Sequence, residues 1–362
     1  MKIYSINKKN NENQKNKNKK KVYKYIILFI SISFSIPGKK FNFPFLIYLK
    51  VNSTLLDNIS DFDFINELNN YKDIEIFLKN KTEFYLKLRS KFLQTVHNVT
   101  YNDSEVNTFQ EKLNWLVIHE SPQYKSLVVD KIKLHDYSRK VLGKDICVPI
   151  IKVYNNTKDV NFNELPEQFT LKLNHGSKMN IICNDKSKLN IQKTLKKLNK
   201  WKKINYGLQN KEFQYMYVKR KIFAEKFLSD NLIDYKIFCF NHNPRFIKTR
   251  RVLKNNTVVH NYYNLNWELM DLETDMKGYI RDPNLKVNKP TNLDLMIKYA
   301  KLLSQEFVFV RVDLYEFNNK VYLGELTFTP DNSFLKWKNK TESITFGNLM
   351  NLTEIKDYLY NK

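Results

Sequence analysis

The chain is poor in the residues that most often announce a simple answer. It has 3 Cys in 362 residues, at 147, 183 and 239, each alone in an apolar stretch. That spacing offers no metal framework and fits reduced core thiols of a cytosol-type compartment. Gly (7) and Pro (9) are scarce, which excludes a collagen-like or linker-dominated chain. Acidic residues are outnumbered, 37 Asp and Glu against 61 Lys and Arg, for a formal charge of +24. An apolar run long enough for an ordinary membrane-spanning helix of about 20 residues is also missing.

What is present is core material. Hydrophobic residues make up 42% of the chain and aromatics 14%, enough for two or three domains at this length. The excess positive charge is partly local. Residues 1–24 hold nine Lys against the single Glu12, and the remaining charge is spread without one dense block. That distribution favours a solvated surface, anionic small ligands or membrane lipid over a nucleic-acid module. Heavy Asn and Lys usage reads as nucleotide bias of the source genome. In so Asn-rich a chain, the sequons at Asn52, Asn98 and Asn255 arise by chance.

The first 55 residues form a separate segment, a basic Lys/Asn tract followed by the apolar run Tyr25–Ile36 before Pro37 and Gly38. Three readings stay open. They are a membrane-surface anchor continued by Phe41–Val51, a signal peptide with no clear small-residue cleavage site, and a plain extension packed on the domain. Residues 56–104 are expected to form a helical extension, 105–350 the main domain and 351–362 a tail.

Residues 60–145 read as helical. Thr108 with Glu111 has capping-box spacing, and a helix over 130–141 is expected to end at Gly143. From Ile146 strands take over, at 146–154, 169–173 and 180–183. A helix follows over 187–203, then strands at 221–227, 235–240, 245–252 and 257–263. Thr291 is the expected cap of a helix with Leu293, Met296, Ile297, Ala300 and Leu303 inward. The pattern is α+β with antiparallel hairpins.

The last hairpin, Arg311 to Pro330, carries the sharpest chemistry. A three-residue loop at Asn318, Asn319 and Lys320 would set Phe317 opposite Val321 and, counting outward, Asp313 opposite Glu325. Opposed residues have Cβ atoms about 5 Å apart. Bare carboxylates that close repel, so a cation between them is expected, and oxygen donors suit Mg²⁺ with phosphates completing its shell. Two solvated acids are the plain alternative.

The order of further motifs is specific. Thr108-Phe-Gln-Glu-Lys-Leu-Asn-Trp115 is similar to TFNEKLQWL. Val129-Asp-Lys-Ile132 is similar to a DK helix start. Leu165-Pro-Glu-Gln-Phe-Thr-Leu-Lys-Leu-Asn-His-Gly-Ser177 is similar to LPxxFVLKCNHGS. Asp234-Tyr-Lys-Ile-Phe-Cys-Phe-Asn241 is similar to DYKFFCFNG. Phe309–Tyr315 and Gly324–Pro330 match FVRVDLY and GELTFTP. Together these resemble the TupA-like ATP-grasp family, named for a teichuronopeptide-biosynthesis protein, over about residues 105–350.

The resemblance implies an ATP-grasp fold, two α+β lobes with antiparallel sheets enclosing an ATP cleft. It implies that Lys131 and Lys172 contact phosphates, with His175 and Ser177 in the same turn. Glu225 and the Leu228 backbone would hold adenine, Asp234 the ribose, and Lys236 would complete the nucleotide set. Arg311, with Lys172, would serve the transferring phosphate or acceptor, and Asp313 and Glu325 would bind Mg²⁺. The implied activity is ATP-dependent carboxylate–amine ligation through an acylphosphate, on a cell-surface glycan or peptide precursor. The setting would be the cytoplasm, at the inner face of a membrane if the N-terminus docks there. One departure stands out. The family loop continues Gly-Gly-Asn after Asn-His-Gly-Ser, where this chain has Lys178-Met179-Asn180. A fold kept without turnover, as a glycan-binding or glycosyltransferase-associated factor, is the alternative.

Overall fold

The computed structural model describes the backbone of residues 2–6, 23–36, 39–52, 80–253, 257–276, 278 and 280–354. The chain divides into two compact units, Met1–Lys91 and Phe92–Lys362. In the first unit β1 (Lys2–Ile6), β2 (Tyr23–Ile36) and β3 (Lys39–Asn52) form an antiparallel sheet in that order. The apolar run is therefore a strand. No helix among the described residues is long and apolar enough to cross a membrane. The expectations for 56–79 and for the tail beyond 354 lie outside the described residues.

The helical stretch is broken into separate pieces, Lys81–His97, Phe109–His119, Pro122–Val129 and Leu134–Leu142. The Thr108 cap is a full capping box. Its hydroxyl accepts from Glu111 N at 3.3 Å, and the Glu111 carboxylate accepts from Thr108 N at 2.9 Å. The helix expected from Asp130 begins instead at Leu134, because the Asp130 carboxylate accepts from Ile132 N at 2.9 Å and forms an Asx turn. Gly143 ends that helix at φ 70°, as expected.

Two antiparallel sheets follow, with helices, as the α+β reading required. The smaller has the order β4-β7-β5-β6, from β4 (Ile150–Tyr154), β5 (Phe169–Leu173), β6 (Asn180–Cys183) and β7 (Ile222–Lys226). Its core is built by alternation. Phe169, Leu171 and Leu173 turn inward with Ile222, Ala224 and the helix residue Leu198, while Lys172 takes the other face. The strand expected over 146–154 starts only at Ile150.

The larger sheet has the order β10-β9-β8-β11-β12. Its strands are β8 (Asp234–Phe240), β9 (Asn243–Val252), β10 (Val258–Tyr263), β11 (Phe309–Phe317) and β12 (Lys320–Thr327). Helix Leu293–Leu303 packs Leu293, Met296, Ala300 and Leu303 against Ile237, Cys239 and Val312 of one face. The other face changes character along its length. Phe238, Phe240, Phe246 and Phe309 form an aromatic cluster at one end, and the charged residues lie at the other.

Two expectations need correction here. Thr291 is not the cap of Leu293–Leu303. Asn292 is the N-cap and makes no side-chain cap bond; Glu316 of β11 accepts instead from Thr291 N at 3.2 Å and Asn292 N at 2.8 Å. The hairpin loop has two residues, not three. Asn318 and Asn319 both have positive φ, at 50° and 55°, and Phe317 pairs with Lys320, the pattern of a tight hairpin turn. The register shifts between Asp313 and Leu314, leaving Gly324 as an extra residue, and that bulge restores Asp313 opposite Glu325. Gly324 is required there, because a Cβ would lie 2.6 Å from the Tyr315 ring.

Candidate active site

The acids sit on a floor of cross-strand neighbours. Asp313 faces Lys236 on β8 and Glu325 on β12. Asp313 is 1% exposed. Its Oδ1 accepts from Arg311 Nε at 2.6 Å, and its Oδ2 accepts from Arg311 Nη2 at 2.7 Å and Lys236 Nζ at 2.6 Å. Bidentate Arg–carboxylate pairing fixes orientation as well as charge. Glu325 accepts from the Thr327 hydroxyl at 3.2 Å and lies 3.5 Å from Lys131 Nζ and 3.7 Å from Arg311 Nη2. Burial pushes the Glu325 carboxyl up, but Lys131, Lys236, Arg311 and Thr327 outweigh it and hold it at about 2. Asp313 and its neighbours hold the buried Arg311 guanidinium well above its ordinary value, against the effect of burial.

Lys131 joins this floor to the β5–β6 turn, its ammonium donating to Gly176 O at 2.8 Å. The turn is anchored by Asn174, fully buried. Its Nδ2 donates to Asp130 Oδ1 at 2.9 Å and Lys219 O at 3.0 Å, and its Oδ1 accepts from Lys221 N at 2.7 Å. Neither Asn174 nor Asp130 was singled out from sequence, although both stand inside quoted motifs. Gly176 packs against Tyr206, whose ring would lie 2.8 Å from an added Cβ.

Lys172 faces the cleft and ion-pairs with Glu225 on β7. A cavity of about 1090 Å³ lies between the two sheets, lined by Lys172, Glu225, Leu228, Asp234, Arg250 and Tyr315, among others. Asp234 opens β8, 3.7 Å from Lys236 Nζ and 3.7 Å from Arg250 Nη1. Thus Lys172, Glu225, Leu228 and Asp234 share one cavity, while Lys131, Lys236, Arg311, Asp313 and Glu325 form the floor beyond it.

Two turn residues behave otherwise than a ligand list implies. The His175 side chain is turned inward, 1% exposed, with Nε2 3.2 Å from Ile204 O. Burial, then the nearby Arg220 charge, lowers it to about 4, so the ring is neutral at ordinary pH. Ser177 is exposed. Lys178 adopts φ 60°, the conformation a glycine takes freely, and Met179 is 7% exposed within the core of the smaller sheet. Of the two side chains that replace family glycines, only Lys178 is presented to solvent.

All three thiols are free and buried, but Cys147 groups with His135 and Asp145, their ligand atoms within 4.8 Å of one another. Asp145 is already held by His135 Nδ1 at 2.8 Å and Arg139 Nη1 at 2.6 Å. An ion-paired cluster accounts for it.

The TupA-like ATPgrasp family matches residues 111–351. The chain belongs to the TupA-like ATPgrasp family. No curated protein matches the chain. Among solved structures, D-alanine–D-alanine ligase from Bacillus anthracis is similar at 17% identity, with 56% of this chain and 57% of that chain covered and a TM-score of 0.36. L-amino acid ligase from Bacillus licheniformis is similar at 11% identity, over 72% of this chain and 57% of that one, with a TM-score of 0.39. N5-carboxyaminoimidazole synthetase from Staphylococcus aureus, complexed with ADP, is similar at 15% identity, over 58% and 47%, with a TM-score of 0.31. Each of these enzymes is matched over less than two thirds of its own length. The family assignment does not rest on these distant likenesses.

Proposed function

We propose that this TupA-like ATPgrasp protein is an ATP- and Mg²⁺-dependent ligase that joins a carboxylate to an amine. The observation that carries the reading is the charged floor, with Asp313 and Glu325 in cross-strand register and Arg311, Lys236 and Lys131 on their flanks. Two carboxylates on one face form a hard oxygen donor set, which fits Mg²⁺ completed by phosphates. When bound, the ion would offset charge on the phosphates as ADP leaves.

The remaining work falls to side chains. Glu225, the Leu228 backbone and Asp234 line the cavity where base and ribose would lie. Lys172 and Lys131 would reach from the β5 side toward the phosphates, and ATP would draw Lys172 from Glu225. Lys236 and Arg311 would offset charge as it develops on the transferring phosphoryl group. The acid's carboxylate oxygen attacks the γ-phosphorus and ADP leaves, giving an acylphosphate. An amine then attacks the carbonyl carbon, inorganic phosphate leaves and an amide remains. The amine would belong to a cell-surface glycan or peptide precursor, with the basic N-terminus docking at the inner face of a membrane.

One observation favours a second reading, a glycan-binding or glycosyltransferase-associated protein without turnover. Asp313 is already held three ways, by two Arg311 bonds and one from Lys236, and a metal must compete with both cations. The full-length chain with Mg-ATP, a panel of carboxylic acids and hydroxylamine separates the readings. Ligation yields hydroxamate and ADP in equal amounts. Nucleotide binding with no acid-dependent ADP selects the second reading, and no nucleotide binding sinks the ligase reading.

A further inference from the structure

One helix is an exception to the even spread of charge expected from the sequence. Helix Ile191–Lys203 holds six lysines and no acid. Helices Lys81–His97, Phe109–His119, Leu134–Leu142, Leu293–Leu303 and Lys340–Asn348 each carry an acid in the first turn. A lysine-rich composition supplies lysines, but it does not keep acids out. Coiling then sorts the residues into two faces. Thr194 and Leu198 are buried, and Leu195 and Trp201 pack on the core of the smaller sheet. Lys193, Lys196, Lys200 and Lys203 fall on the opposite face, and all four are exposed. At 1.5 Å per residue the row is about 15 Å long.

Among the described residues none of these four forms an ion pair. The other two lysines are engaged within the lobe. Lys197 Nζ lies 4.8 Å from the Trp201 ring centre, and Lys202 donates to Asn156 Oδ1 at 3.3 Å. Like charges three and four residues apart destabilise a helix, and Lys193 in the first turn also opposes the helix dipole. The helix is held in spite of its lysines, by burial of Leu198 and by the Asn190 side chain, which accepts from Lys193 N at 2.9 Å. The row points away from the cavity. Its helix packs on the face of β5 that Phe169, Leu171 and Leu173 occupy, whereas Lys172 and the cavity lie on the other. No residue of the helix lines the cavity, so a large partner can rest on the lysines without blocking it.

We propose that the lysine face of Ile191–Lys203 docks the smaller lobe on an anionic lipid surface. Charge complementarity argues for this partner. Several basic residues on one face of an amphipathic helix suit the negative potential of such a surface. The chemistry of the row favours lipid over nucleic acid. It holds no arginine to grip a phosphate bidentately. It presents no exposed aromatic on which a base could stack, since the one aromatic of the helix, Trp201, is half-buried and packed on the core. Lysine ammonium groups act as point charges and need no fixed geometry from the headgroups they meet. This face is separate from the basic N-terminus, and its role does not depend on the ligase reading.

The test is co-sedimentation of the full-length chain with vesicles of phosphatidylcholine, alone or mixed equally with phosphatidylglycerol. Wild type should bind the mixed vesicles, less as salt rises, and leave the neutral ones. The combined variant Lys193→Gln, Lys196→Gln, Lys200→Gln and Lys203→Gln should weaken that binding about tenfold or more, at roughly fivefold per lysine near the surface. It should unfold at no lower temperature than wild type, because repulsion along the helix is relieved, so lost binding is not misfolding. Arginine at the same four positions should retain binding. A control that removes equal charge elsewhere, Lys298→Gln, Lys301→Gln, Lys336→Gln and Lys340→Gln, all exposed, should keep most of it. Equal loss in the two glutamine variants assigns the effect to net charge and overturns the docking face. Undiminished binding by the helix variant overturns it too and leaves attachment to the basic N-terminus. Affinity for a single-stranded oligonucleotide that depends on the four lysines, with vesicle binding that does not, replaces lipid with nucleic acid. Failure of wild type to bind the mixed vesicles sinks the proposal whatever its turnover.

Discussion

The two sheets that face each other across the cavity hold their charges differently. On the larger sheet the charges are fixed by strand register. Lys236, Asp313 and Glu325 are lateral neighbours, and each is locked by further partners on its own or the next strand. On the smaller sheet, Lys172 and Glu225 form one ion pair, and the loop between β5 and β6 brings the Gly176 carbonyl to Lys131. A register-built site resists change because moving one residue displaces a strand. A loop-built site adapts, at the cost of backbone strain. In the proposed ligase the floor would be preorganised for transfer, and the smaller lobe would be the part that adjusts to nucleotide.

The contrast predicts unequal costs for removing one acid from each sheet. Asp313→Asn leaves Arg311 and Lys236 without their shared anion in a site where Asp313 is 1% exposed. Breaking a buried pair in this way costs about 3–5 kcal/mol, and acid-dependent ADP release should fall by orders of magnitude. Glu225→Gln touches a single partner and should cost about 1 kcal/mol. Urea denaturation of both variants checks the difference. Equal destabilisation would mean that the floor is no more interlocked than the opposite lobe.

Acid should weaken both lobes, over different ranges. Burial holds His175 at about 4 and His260 at about 2, against ordinary values of 6.5. Both are lowered in the folded protein, so the unfolded chain binds more protons below 6.5 and stability falls as pH falls. Each histidine removes at most about 1.4 kcal/mol per pH unit. His175, from the smaller lobe, stops contributing near 4, whereas His260 continues toward 2. Glu325, lowered to about 2, adds a further loss below its ordinary 4.5. His175→Gln should flatten the stability profile between pH 6.5 and 4 only. An unchanged profile would contradict the buried neutral ring.

The nucleotide prediction is smaller again. Lys172→Met should weaken ATP about tenfold and AMP little, since only ATP carries the distal phosphates that a charged donor would reach. Glu225→Gln should weaken both alike. Equal losses of ATP and AMP in Lys172→Met would place that lysine beside the base instead.

Legibility followed the same division. Strands and helices mixed with antiparallel hairpins, together with the order of the motifs, exposed the α+β architecture, and counting along the last hairpin set Asp313 opposite Glu325. The hairpin pairing was reached through a loop one residue too long, which a bulge at Gly324 offset. That bulge depends on the Tyr315 ring closing over a residue without a side chain, a contact that strand periodicity does not encode. Thr291 had the right chemistry for a cap, but the carboxylate of Glu316, 25 residues away, serves the helix instead. The inward turn of His175 likewise follows from packing between elements.

The smallest effect tests the adaptable side of the comparison directly. Lys178 holds φ 60°, and a non-glycine residue in that region carries a strain of about 1 kcal/mol. Lys178→Gly should therefore raise stability by up to that amount. The extra freedom that glycine gives the unfolded chain offsets part of the gain. Met179→Gly should do the opposite, because Met179 is 7% exposed and packs with Leu171 and Leu173 in the core of the smaller lobe. Removing a buried side chain of that size costs about 2–5 kcal/mol. The two family glycines are thus not equivalent here, and restoring both together would hide a small gain under a larger loss. On nucleotide, Lys178→Gly should tighten ATP if the side chain hampers closure of the turn and weaken it if the ammonium has become a phosphate contact. Lys178→Ala separates these outcomes, since it removes the charge and keeps the strained backbone. Loss of ATP affinity in both variants assigns the charge a role. Unchanged affinity in both would show that the turn does not adjust to nucleotide, and the smaller sheet would then be as fixed as the larger one.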